Sequence, residues 1–148
     1  MRALVIATAV LVGYSSSNGE KEALKLANDL ATDAVAKIEV AMKAGRPIDG
    51  VFDCVAAAMT DTLVKAGGAY AELATKLTRL CDHDVPLAAI TKSVAETEAA
   101  RAKSPNDKML TACVVNDIGL ALKSLKNRDE AASLLARYAA ACPDEKPF

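Results

Sequence analysis

Four cysteines stand around two points where helical patterning breaks, and this placement constrains the fold more than any other feature. Gly67-Gly68 lies midway between Cys54 and Cys81, and Asn127-Arg128 lies midway between Cys113 and Cys142. In an antiparallel helical hairpin, residues equidistant from the turn lie side by side. Each cysteine pair therefore closes the open end of its own hairpin, which predicts disulfides Cys54–Cys81 and Cys113–Cys142. Each bond closes a loop of roughly 28 to 30 residues, worth roughly 3–4 kcal/mol in the chain-entropy picture. The alternative is four reduced thiols in a cytosolic protein. No C-x-x-C occurs and His83 is the lone histidine, so zinc ligation has little support and no metal is expected.

Composition agrees with helices. The chain has 148 residues, the length of one domain, with 31 alanines, 3% aromatic residues and no tryptophan. The fold class expected is all-α, about six helices arranged as antiparallel hairpins in a repeat-like array or a compact bundle. The first helix is expected over about 20–44, behind a Ser17/Glu20 capping box, with Gly45 and Pro47 ending it. The second is expected over about 50–66 with Asp49 as N-cap, and Val51, Val55, Met59 and Leu63 on one inward face. The third covers 69–81. The fourth starts near Pro86, with Leu87, Ile90 and Val94 inward and a solvated second half, 96–103. Ser104-Pro105-Asn106-Asp107 reads as the start of the fifth, and the sixth covers 129–141 with Ala131, Leu134, Leu135 and Tyr138 inward, stopped by Pro143.

The N-terminus reads as an address. Met1 to Val12 has one arginine followed by an apolar run too short for an ordinary membrane span, and Ser15-Ser16-Ser17-Asn18-Gly19 follows as a polar tether. Residues 1–19 are thus expected to be a signal segment and tether, and 20–148 a single helical domain; the alternative is that the apolar run is a buried first helix or strand of the mature fold. Leu11-Val12-Gly13-Tyr14 resembles a bacterial lipoprotein signal, in which a cysteine receives the lipid. Tyr14 stands at that cysteine's position and has no thiol; anchoring there would require a cysteine at 14. The resemblance implies an exported protein, periplasmic or associated with the outer membrane.

The two hairpins also resemble each other, and residues 112–145 resemble one tetratricopeptide repeat. Gly119 falls at the small residue of close helix approach, Ala131 at the tightly packed alanine of the second helix, Leu135 at the large apolar position and Pro143 at the terminating proline. Val115 departs from the usual tryptophan, and Tyr138 from a usual alanine.

Nothing asks for catalysis. Cys81-Asp82-His83-Asp84 is expected to be a solvated turn between helices, and no phosphate-binding glycine loop or nucleophile elbow occurs. With 18 basic and 19 acidic residues, nucleic acid has no electrostatic case. Scarce aromatics argue against stacking recognition of sugars or bases. The expectation is a non-enzymatic module without cofactor that binds a protein partner. An immunity or inhibitor protein against a secreted toxin is the first alternative. A carrier of an apolar ligand is the second, disfavoured because alanine-rich helices close gaps rather than leave cavities.

Overall fold

The computed structural model describes residues 2–114 and 128–144, with backbone alone for 2–16, 114 and 128. It is all-helical among these residues. Helix α1 (Arg2–Lys43) is followed by α2 (Pro47–Asp53), a 3-10 segment (Cys54–Met59), α3 (Thr60–Ala66), α4 (Gly68–Arg79), a π-helical turn (Leu80–Asp84), α5 (Val85–Lys103), α6 (Thr111–Val114) and α7 (Arg128–Ala141). No helix among the described residues is long and apolar enough to cross a membrane.

Helix α1 spans about 63 Å at 1.5 Å per residue. It has no proline, and it runs unbroken through Ser15–Asn18, so the expected start at Glu20 is not a helix start. Serine and asparagine cost only a few tenths of a kcal/mol inside a helix, too little to break one flanked by good helix formers. The other end is as expected. The Gly45 amide donates to the Met42 carbonyl at 3.1 Å and the Arg46 amide to Ala41 at 2.9 Å, with Gly45 at φ +67°. That is a Schellman cap, and it turns the chain into α2, whose first helical residue is Pro47. Asp49 is therefore in the first turn of α2 rather than its N-cap.

The expected second helix is divided. At Cys54 the winding tightens to a 3-10 segment, in which every third residue points the same way. Cys54, Ala57, Thr60 and Leu63 consequently turn inward, while Val51, Val55 and Met59 are exposed. Of the four residues expected on one inward face, only Leu63 is buried.

Two apolar cores result among the described residues. The first joins Ala27, Ala31, Ala34, Val35 and Ile38 of α1 to Leu63, Ala74, Leu77 and Val85. Its small side chains let α1 approach α3 and α4 closely. The second joins Ile90, Val94, Leu110, Cys113, Leu134, Tyr138, Ala141 and Cys142. Helix α5 serves both, with Val85 in the first and Ile90 and Val94 in the second. Its second half is solvated on one side only, with Glu96, Ala99, Ala102 and Lys103 exposed. Thr97 is buried, Ala100 packs on the second core, and Glu98 takes both guanidinium arms of Arg137 from α7, at 2.9 and 2.6 Å. Sequence periodicity is silent on this because α7 docks along the polar-looking residues.

Both disulfides have the expected pairing. Cys54 and Cys81 lie 5.4 Å apart at Cα, and Cys113 and Cys142 lie 5.6 Å apart. The first closes the hairpin of α3 and α4 around Gly67 (φ +73°) and Gly68 (φ +52°). The second ties the start of α6 to the end of α7. The turn at Asn127 lies outside the described residues. Ser104–Asp107 is not the start of a helix. It forms a turn, with the Asp107 amide on the Ser104 carbonyl at 3.2 Å and the Met109 amide on the Asp107 side chain at 2.9 Å. Helix α6 begins at Thr111. The bond from the Met109 amide to the Asp107 side chain is an Asx-type turn contact, which aspartate forms as readily as a helix cap.

Candidate interaction surface and the histidine cluster

Along α2 and the 3-10 segment, several large apolar side chains are left outside the first core. Ile48, Val51, Phe52, Val55 and Met59 follow one another along α2 and the 3-10 segment, all exposed, with Phe52 at 73% and Val55 at 79%. The ridge is firmly backed. Gly50 is buried on its inner side, where an added Cβ would sit 3.5 Å from Val85 and 3.7 Å from Ile38. Cys54 clamps its far half to Cys81. Single exposed apolar residues are ordinary, but five large ones within residues 48–59 are a concentration of the kind that marks recognition surfaces.

Behind α2, an open groove of about 530 Å³ lies between the end of α1 and α5, lined by Met42, Pro47, Leu87, Ala88 and Thr91. Lys92 crosses its rim to donate to the Gly45 carbonyl at 2.9 Å. The groove is open to solvent.

The residues at Cys81-Asp82-His83-Asp84 do not form a turn between helices. They form a π-helical turn inside one helical run from Gly68 to Lys103, with the Val85 amide donating to the Leu80 carbonyl. Pro86 supplies the cause. It has no amide to continue the α-helical ladder, and its ring would crowd the carbonyl four residues back. One extra residue in the turn relieves that crowding.

His83 is held on both sides. Its Nδ1 lies 2.7 Å from Asp84 Oδ1, and its Nε2 lies 3.1 Å from Glu130 Oε2 on α7. These bonds, Asp84 first and Glu130 second, raise its pKa above the ordinary histidine value. Arg79 Nε is 3.6 Å from the other Asp84 oxygen. Sequence reasoning missed the cluster because Glu130 is 47 residues from His83. Among the described residues, no three histidine, cysteine or carboxylate side chains converge in a way that could hold a metal ion.

The repeat-like residues are placed as follows. Ala131 and Leu135 are half-buried against the second core, beside the buried Leu134 and Tyr138. Pro143 is exposed just beyond the end of α7 at Ala141. Gly119 lies outside the described residues. All four cysteines are oxidised, leaving no free thiol, and they point to an oxidising compartment. No family model, no curated protein and no solved structure matches the chain.

Proposed function

We propose that the protein is a non-enzymatic interaction module of a bacterial envelope, periplasmic or associated with the outer membrane, that presents a rigid ridge to a protein partner. The observation that carries this reading is the exposed run Ile48, Val51, Phe52, Val55 and Met59 on an element clamped by Cys54–Cys81. Export-type sequence at the N-terminus and two disulfides support the address. The tetratricopeptide-like stretch 112–145 supports the class of function, because such hairpins serve as scaffolds for partner segments.

A photo-crosslinking side chain at Phe52 or Val55, compared with one at the exposed Glu72 of α4, tests the proposal in envelope extract. The ridge positions are expected to trap one discrete partner that Glu72 does not. Identical crosslinks from all three positions would sink it. If the trapped partner is a toxin whose activity falls on binding, the module's role is inhibition.

A further inference from the structure

His83 has a carboxylate oxygen on each ring nitrogen, one from its neighbour Asp84 and one from Glu130 of α7. Ionised carboxylates only accept hydrogen bonds. A neutral imidazole has one N–H and can satisfy one of them; an imidazolium donates to both. The charged groups around the ring favour the imidazolium. Asp82 and Asp84 stand beside it in the π-turn, Glu130 reaches it from α7 with Asp129 next in sequence, and Arg79 of α4 is the cation nearest Asp84 among the described residues.

The contact joins the first turn of α7 to the π-turn. The far end of α7 is fixed by Cys142, by Tyr138 in the second core, and by Arg101 Nε donating to the Ala141 carbonyl at 2.7 Å. Glu130 is about 18 Å from that end along the helix axis. A covalent bond and apolar packing hold the far end of α7; at its first turn Ala131 packs on the second core and the His83–Glu130 contact adds a polar tie to the π-turn.

We infer that His83 is a proton-operated clasp between the two cores: protonated, it fastens the first turn of α7 to the π-turn through Glu130, and deprotonated, it keeps only one of its two bonds and holds that turn less tightly. The raised pKa of His83 fits this geometry. By linkage, docking that favours the protonated ring is strengthened by protonation to the same degree, tenfold for each pKa unit. The sign follows. Asp84 stays beside the ring whether or not α7 is docked, so only the further rise that Glu130 causes is linked to docking; the added docking is complete below the His83 value of the undocked state and disappears as pH rises through the docked value.

The test uses the full, disulfide-intact chain. Ring resonances of His83 are titrated by NMR. Amide exchange, corrected for its intrinsic pH dependence, is read at 132–135, whose amides close onto the first turn of α7, and at 138–141 as internal reference. His83 is expected to titrate above 6.5 and to move toward that value in Glu130→Gln. Each unit of difference is expected to appear as about tenfold less protection at 132–135, relative to 138–141, on going from about pH 5.5 to about pH 8. His83→Gln is expected to remove this pH dependence. Asp84→Asn lowers the titration point but leaves the exchange response on α7. The inference is overturned if Glu130→Gln leaves the His83 titration unmoved. It is overturned equally if wild-type protection at 132–135 tracks 138–141 at both pH values, a comparison that needs no variant to fold.

Discussion

The Tyr138 hydroxyl donates to the backbone carbonyl of Cys113 at 3.2 Å, across the same gap that the Cys113–Cys142 disulfide spans. Tyr138 also accepts the Cys142 amide on its own carbonyl at 2.9 Å. The ring fills the second core, and the hydroxyl satisfies a main-chain acceptor there. Tyr138→Phe keeps the ring and loses the bond, so it is expected to cost about 1 kcal/mol. Tyr138→Ala also opens a cavity and is expected to cost about 3–5 kcal/mol. Urea unfolding under non-reducing conditions measures both. Equal losses for the two variants would mean that the ring packs on nothing.

The 3-10 segment makes a prediction that an uninterrupted α-helix would not. Leu63 is fully buried and Val55 is largely exposed. Leu63→Ala is expected to cost about 2–5 kcal/mol, whereas Val55→Ser and Phe52→Ser change stability by no more than about 0.5 kcal/mol. Were the stretch one regular helix with all four apolar residues inward, Val55→Ser would be as damaging as Leu63→Ala. Thermal unfolding of the three variants distinguishes the two windings.

Gly67 joins the α3–α4 hairpin at φ +73° and ψ −172°. That region is essentially closed to residues with a Cβ. Gly67→Ala is expected to cost about 1–3 kcal/mol, although an added Cβ meets no atom within 4 Å. The loss is therefore conformational rather than steric crowding by neighbours. An unchanged unfolding midpoint would show that the turn adopts another conformation.

The disulfide pattern is checked directly by peptide mapping without reductant. Linked fragments should join Cys54 to Cys81 and Cys113 to Cys142, and a Cys54–Cys113 fragment would contradict the fold. Replacing Cys113 and Cys142 together by alanine is expected to remove roughly 3–4 kcal/mol. The loss should fall mainly on α7, since the first core contains neither residue.

Some of this architecture is legible in the sequence alone. Helical class followed from alanine content, and the disulfide pairing followed from the distances of the cysteines to Gly67-Gly68 and to Asn127. The cap at Gly45 and the stop beyond Ala141 were readable as well. These are local properties: backbone propensity, a positive φ that only glycine takes freely, and a counting argument along two arms of a hairpin. Tertiary structure alone decided the winding of 54–59, which turned Val55 outward although its spacing matched Leu63. It also decided that the polar half of α5 would receive α7, through Glu98 and Arg137, and that Glu130 would meet His83. The reason is the same in each case. Periodicity reports which residues could share a face under one assumed winding, whereas the face that is buried depends on what packs against it. Contacts between residues 39 and 47 positions apart leave no mark on the pattern of either segment.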